Sequence, residues 1–161
     1  PDGGQVNGPL ARRSPGSALK PFLYGLGFER GWTAASVIPD VPTEVVTPTG
    51  LFRPENYDRR FRGPVPVREA LAGSLNVPAV RLLDQLGGAA VLQDRLMRLG
   101  LTTLDRPAAD YGLGLVLGNA EVRLVDLTAA YATLGRLGVH RPWRVRPGPA
   151  GSGVPVAERR C

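Results

Sequence analysis

Apolar residues recur at helical spacing in several stretches of the chain. From Ser17 to about Arg30, Leu19, Phe22, Leu23 and Leu26 follow the i, i+3, i+4, i+7 pattern of a helix with one buried face. Pro21 falls in its first turn, where a missing N–H costs little, and Gly31 supplies a stop. Further helices are predicted at about 67–73, 78–86 and 89–99. Ala79, Leu82, Leu83 and Leu86 share a face of the second; Leu92, Leu96 and Leu99 share a face of the third. Gly87-Gly88 and Gly100 mark their ends. A last helix is predicted over 124–137, with Leu124, Leu127, Tyr131, Leu134 and Leu137 on its apolar face and Gly138 after it. Residues 111–119 read as a short strand broken by glycines, and Arg141 to Arg146 as a possible further strand. Residues 32–66 hold no sustained period and read as a long irregular surface segment. The expectation is a helical layer with little sheet of its own.

Composition adds few constraints. The chain has 161 residues, enough for one domain, and its 21 glycines and 16 prolines mark long loops. The net charge of +6 suggests an anionic partner, but no basic run exceeds a pair, as at Arg12-Arg13 or Arg59-Arg60. With no basic stripe and no RNA-binding aromatic signature, a nucleic-acid module is disfavoured. The lone cysteine, Cys161, and lone histidine, His140, leave no disulfide framework and no Cys- or His-rich metal site within the chain. His140 reads as exposed, Trp32 and Trp143 as packing residues, and Tyr57 as packing the long segment. Asp84, Asp94 and Asp126 suit solvated or capping positions better than a catalytic pair. Gly112, Gly114 and Gly118 lack the spacing of a dinucleotide loop. The chain opens at Pro1 without a methionine and reads as a fragment or processed product.

One count changes the picture. Of 20 basic residues 19 are arginine, and the only lysine is Lys20. Arginine cannot be deprotonated in a protein, whereas a buried lysine can lose its proton and act as a base. Lys20 closes a Ser-x-x-Lys string with Ser17. At that spacing on a helix the hydroxyl and amine share a face, and a serine becomes a useful nucleophile only beside a base. Alone, the string fits a helix-capping serine and a solvated lysine at least as well. A second triplet, Ser74-Leu75-Asn76, precedes Pro78, which disfavours helix at Val77 and puts the triplet in a turn between helices. There Ser74 and Asn76 can both face a cleft; alone, they too suit ordinary capping.

Together the two strings resemble the serine acyltransferases defined by Ser-x-x-Lys, Ser-x-Asn and Lys-Thr-Gly. The segment Arg13-Ser-Pro-Gly-Ser-Ala-Leu-Lys-Pro-Phe-Leu-Tyr24 resembles the nucleophile segment of class A penicillin-binding proteins, the 1C-like branch in particular. Pro54-Glu-Asn-Tyr-Asp58, Phe61-Arg-Gly63, Val67-Arg-Glu-Ala-Leu71, Ser74-Leu-Asn-Val-Pro-Ala-Val80 and Leu124-Val-Asp-Leu-Thr-Ala-Ala-Tyr-Ala132 follow the same family in order, so the resemblance covers roughly residues 5–140. It implies an α+β fold, here a fragment of a penicillin-binding transpeptidase or β-lactamase-like domain, mainly its helical part with few short strands. Residues 14–140 would be the partial domain, 1–13 a flexible lead-in and 141–161 a Gly/Pro-rich tail, extended or disordered.

The resemblance further implies a D,D-transpeptidase that cross-links peptidoglycan stem peptides ending in D-Ala-D-Ala and is a target of β-lactams. Ser17 would be the nucleophile, Lys20 the base, Ser74 the proton relay to the leaving amine, and Asn76 a substrate-binding residue. No metal or organic cofactor is implied. The parent protein would be membrane-anchored, carry a glycosyltransferase domain and work at the periplasmic face of the cytoplasmic membrane. No lysine follows Lys20, so Lys-Thr-Gly is not in this sequence. Two rivals follow: a catalytically inactive truncated piece that at most binds, and a β-lactamase-type hydrolase.

Overall fold

The computed structural model describes residues 6–47, 50–144, 146 and 153–156, and is mixed helix and strand with helix predominating. The helices are α1 (Lys20–Glu29), α2 (Val67–Ala72), α3 (Asn76–Gln85), α4 (Ala89–Arg98), α5 (Ala108–Tyr111) and α6 (Leu124–Gly135). A 3-10 turn over Gly16–Leu19 leads into α1, so the helix proper begins at Lys20, with Pro21 in its first turn. The strands are β1 (Arg12–Arg13), β2 (Val37–Asp40), β3 (Val45–Thr47), β4 (Gly50–Phe52), β5 (Gly63–Pro66), β6 (Val122–Arg123), β7 (Val139–His140) and β8 (Val154–Pro155). They form separate antiparallel pairs, β1 with β6, β2 with β5, β3 with β4 and β7 with β8.

The core lies where α1, α3 and α4 meet. Leu19, Phe22, Leu23 and Leu26 of the first segment pack with Leu82, Leu83, Leu92 and Leu96, and all are buried, as the periodicity predicts. Fully burying each such side chain contributes about 1.5–3 kcal/mol. The helix predicted from residue 78 begins two residues earlier, at Asn76. Pro78 is accommodated because a first-turn residue has no helical carbonyl for its N–H to reach, so the missing donor is not felt.

Four expectations are corrected. Residues 32–66 are not wholly irregular, because β2 pairs with β5 in the register Val37↔Pro66 to Asp40↔Gly63, and β3 pairs with β4. The prolines that hide these strands in the sequence are tolerated because a two-stranded sheet consists only of edges. Residues 111–119 form no strand: α5 runs into a 3-10 helix over Gly112–Leu117 that buries Leu113, Leu115 and Val116. Gly112 and Gly118, both at positive φ, bracket it and turn the chain where a side chain would be strained. The face of α6 is largely shifted: of the five residues expected inward only Leu127 packs against the core, Leu124, Tyr131, Leu134 and Leu137 are exposed, and Asp126, Ala129, Ala130 and Thr133 are buried. Finally, Arg141–Arg144 form no strand; the strand lies just before them at β7, and Val145 lies outside the described residues.

Several single residues also differ from expectation. Arg12 and Arg13, inside the stretch read as a lead-in, pair with β6, and the Val125 N–H donates to the Pro9 carbonyl at 3.3 Å. In the stretch read as tail, β8 pairs with β7; residues 1–5, 147–152 and 157–161 lie outside the described residues. Tyr57 packs on nothing and is fully exposed. His140 is half-buried, its Nδ1 lying 3.2 Å from Thr133 Oγ1. Asp126 is buried, accepting from Arg123 Nε at 2.7 Å and Trp143 Nε1 at 2.9 Å. Among the described residues no helix is long and apolar enough to cross a membrane.

Candidate active site

Lys20 opens α1 and is only 1% exposed, which is rare for a lysine without a carboxylate beside it. Its ammonium donates to the Ser74 carbonyl at 2.5 Å, to Ser74 Oγ at 3.1 Å and to Asn76 Oδ1 at 2.7 Å. An ammonium has three N–H donors, and each meets a neutral acceptor. Burial without a negative partner disfavours the charged form and lowers the Lys20 pKa from 10.5 to about 8. At pH 7 roughly one amine in ten is then neutral, against fewer than about one in a thousand for an ordinary lysine.

The acceptors come from the α2–α3 turn. The chain leaves α2 at Gly73, where Gly73 N–H returns to Glu69 O, Ser74 N–H to Leu71 O, and Leu75 N–H to Ala70 O. This wrap-around C-terminus forces Ser74 to a φ of +50°, a left-handed conformation that a serine adopts seldom. Local strain of that kind costs on the order of 1–3 kcal/mol and gathers at functional sites. Here it turns both the carbonyl and the hydroxyl of Ser74 to Lys20. Asn76, the first residue of α3, donates from Nδ2 to the Glu55 carbonyl at 2.8 Å, which leaves Oδ1 for the amine.

Ser17 sits one turn before Lys20 in the 3-10 segment and is exposed. Residues three apart eclipse in a 3-10 turn, so the hydroxyl and amine lie on one side of the chain. No hydrogen bond joins Ser17 to Lys20 among the described residues; the amine is turned to the α2–α3 turn. The loop carrying Ser17 is pinned from several sides. Ser14 Oγ donates to the Gly118 carbonyl at 2.6 Å, Gly16 N–H donates to Ser14 Oγ at 3.3 Å, and Tyr131 Oη donates to the Ala18 carbonyl at 2.8 Å. Tyr131 also meets Phe22 edge to face at 5.0 Å. Gly118 has a φ of +90°, and a Cβ there would fall 2.3 Å from Gly16 N. Only glycine lets the two backbones approach so closely.

The structure thus brings Lys20, Ser74 and Asn76 into one hydrogen-bonded cluster and leaves Ser17 outside it, one turn earlier in the chain and open to solvent. Nothing in the sequence pattern marks Ser14, Glu55 or Gly118 as neighbours of these residues. The glycine at 118 reads in the sequence as a strand break or as part of a poor dinucleotide-loop pattern, and Glu55 acts through its main chain, which no side-chain pattern reveals. A cleft of about 550 Å³ between the β3–β4 pair, α5 and the ends of α3 and α4 is not lined by Ser17, Lys20, Ser74 or Asn76. Its lining holds no serine, lysine or histidine, so the candidate catalytic residues stand outside it. Among the described residues no three of His, Cys, Asp and Glu come together as metal ligands.

Comparison with known proteins bears on this geometry. Residues 10–132 match the family model of the penicillin binding protein transpeptidase domain. The chain is 41% identical over 136 residues to penicillin-binding protein 1C of Escherichia coli, covering 84% of this chain and 17% of that protein. It is 32% identical over 130 residues to penicillin-binding protein 1A of Pseudomonas aeruginosa, covering 80% of this chain and 15% of that one. Among solved structures, penicillin-binding protein 1A from Haemophilus influenzae superposes with a TM-score of 0.75 at 28% identity, over 87% of this chain and 21% of that one. The PonA1 protein from Mycobacterium tuberculosis, in complex with penicillin V, does so with a TM-score of 0.73 at 26% identity, over 86% and 39%. The chain therefore spans about a sixth of the length of these curated relatives.

Proposed function

Given that the chain belongs to the penicillin-binding protein transpeptidase family, as an α+β and mainly helical part of that domain, we propose that it carries the nucleophile and general base of a peptidoglycan D,D-transpeptidase. The observation that carries the reading is the buried, carboxylate-free Lys20 amine held by Ser74 and Asn76.

In this reading the neutral fraction of Lys20 accepts the Ser17 Oγ proton as the oxygen attacks the carbonyl of the penultimate D-Ala of a stem peptide. The new C–O bond makes a tetrahedral oxyanion. As it collapses, the C–N bond to the terminal D-Ala breaks, and Ser74, between Lys20 and the substrate, passes the proton to the leaving amine. Asn76 binds the substrate peptide through the amide hydrogen that the Glu55 carbonyl leaves free. The amine of a second stem then attacks the Ser17 ester, giving a cross-link and restoring the serine. A penicillin would acylate Ser17 by the same route, because opening its lactam forms the same kind of ester. The parent protein would be membrane-anchored and act at the periplasmic face, and residues 14–140 would be its share of the transpeptidase domain.

A second reading is favoured by one feature: the 161 residues contain no Lys-Thr-Gly. The resemblance assigns to that motif's strand the substrate carboxylate site and to its neighbour an oxyanion donor. Losing one oxyanion donor costs ~10²–10³ in rate, so this chain by itself could be an inactive piece. Intact-mass spectrometry after incubation with benzylpenicillin separates the two. One covalent adduct on the chain, absent from Ser17→Ala, supports acylation by Ser17. No adduct on a chain shown folded by circular dichroism supports the inactive piece. An adduct that decays within minutes would indicate a β-lactamase-type hydrolase.

A further inference from the structure

The Lys20 cluster depends on a residue that none of the catalytic strings contains. We propose that Asn56, clamped by the buried carboxylate of Asp40, is a positioning residue for Lys20. Its side chain caps the N-terminus of α3 from 20 residues away and so holds the Ser74–Asn76 turn on the amine.

A helix N-terminus leaves its first N–H groups without partners, and these are normally met by a serine, threonine, aspartate or asparagine next to the helix. At α3 the cap position is Leu75, which offers no such group. The two first-turn donors, Asn76 N–H and Val77 N–H, instead reach Asn56 Oδ1 at 2.8 and 3.2 Å, and Pro78 has no N–H to satisfy. One side-chain oxygen thus completes the cap.

The amide of Asn56 has one possible orientation. Its Nδ2 donates to both oxygens of Asp40, at 2.8 and 2.9 Å, and to the Arg60 carbonyl at 2.8 Å. Flipping it would set an oxygen against a carboxylate and an NH₂ group against two N–H donors. Asp40 is fully buried and Asn56 nearly so. A buried carboxylate is costly unless its oxygens are satisfied. Here they are met by Asn56 and by Arg62 N–H at 3.1 Å, with the Arg62 guanidinium 3.9 Å away.

The neighbouring residue completes the grip. While Asn56 takes the main-chain N–H of Asn76, the Glu55 carbonyl takes its side-chain Nδ2, so Asn76 is held at backbone and side chain by two consecutive residues. Asn76 Oδ1 is left 2.7 Å from Lys20, and the turn just before it supplies both oxygens of Ser74. Without Asn56 the start of α3 and the preceding turn would lose their anchor, and water would reach the amine.

The role of Lys20 as base rests on the proposed transpeptidase reading, but the contact itself does not, and the test is independent of acylation. Because Lys20 is the only lysine, lysine labelled with ¹³C and ¹⁵N gives a single amine signal whose titration NMR follows directly in the 161-residue chain. Asn56→Ala should raise the midpoint from about 8 toward 10.5, by roughly one pH unit or more. Leu92→Ala, a core change in α4, should lower stability and leave the midpoint in place. An unchanged midpoint in Asn56→Ala, or an equal shift in both variants, overturns the proposal. Should Asn56→Ala not fold, amide exchange in the unaltered chain decides. Protection of the Asn76 and Val77 amides supports the cap, and exchange as fast as that of Ala90, in the uncapped first turn of α4, overturns it. Absence of a penicillin adduct would count against the transpeptidase reading and leave this inference standing.

Discussion

Helices α3 and α6 look alike as sequences, each rich in leucine, valine and alanine, yet they face the core in opposite ways. In α3 the large residues point inward, with Leu82 and Leu83 fully buried, and its first residue is tied by hydrogen bonds into the Lys20 cluster. In α6 most of the large residues point outward, with Leu124 58% and Leu134 46% exposed and Leu127 alone of its leucines packed on the core, while Ala129, Ala130 and Thr133 take the core side. The inward polar groups are satisfied from beyond the helix or along it. Asp126 is met by Arg123 and Trp143, and Thr133 donates to the Ala129 carbonyl and lies beside His140. A helix that is apolar around most of its circumference has no face its period can single out. What chooses is close approach, which favours small residues, together with polar partners elsewhere in the chain.

Substitutions at the two helices and at the cluster should differ in size. The largest effect is expected at the site: Lys20→Arg keeps the charge but cannot be deprotonated, and should slow acylation by ~10²–10⁴, read by the rate of penicillin adduct formation. Next comes the core side of α3, where Leu82→Ala should cost about 2–5 kcal/mol in urea unfolding. Gly118→Ala should follow, at about 1–3 kcal/mol, because its Cβ would overlap Gly16 at 2.3 Å and its φ is positive. It should also slow acylation, since Gly16 precedes Ser17, the proposed nucleophile. Leu134→Ala on α6 should be smallest, within about 0.5 kcal/mol of the unaltered chain. A cost at Leu134 equal to that at Leu82 would break the contrast.

Acidity offers a further check with a definite sign. Lys20 has a pKa of about 8 folded and 10.5 in a solvated chain, so between those values the unfolded state holds more protons. Stability should therefore rise with pH from about 8 toward 10, and urea midpoints should show it. Lys20→Met should flatten that rise.

Much of the candidate site is legible in the chain, because the residues proposed for its chemistry are side chains at fixed spacing. The lone Lys20, Ser17 three residues before it and the Ser74–Asn76 turn all stand in the sequence, and the faces of α1, α3 and α4 follow from leucines at a clear period. What escaped depends on long-range contacts or on the backbone. Asn56 caps a helix 20 residues downstream, and nothing local marks an asparagine between Glu55 and Tyr57 as a cap. Pro39 and Pro64 lie opposite each other in a strand pair that a proline count argues against. The apolar run from Leu113 to Leu117 has no period that separates a strand from a 3-10 helix, and the glycines that settle it act through positive φ.

The most direct measurement is the NMR titration of the Lys20 amine in the unaltered chain. A single transition near pH 8 would establish a buried amine that can take a proton from a serine at neutral pH. A transition near 10.5 would mean that Lys20 is solvated, and would remove the base on which the proposed chemistry rests.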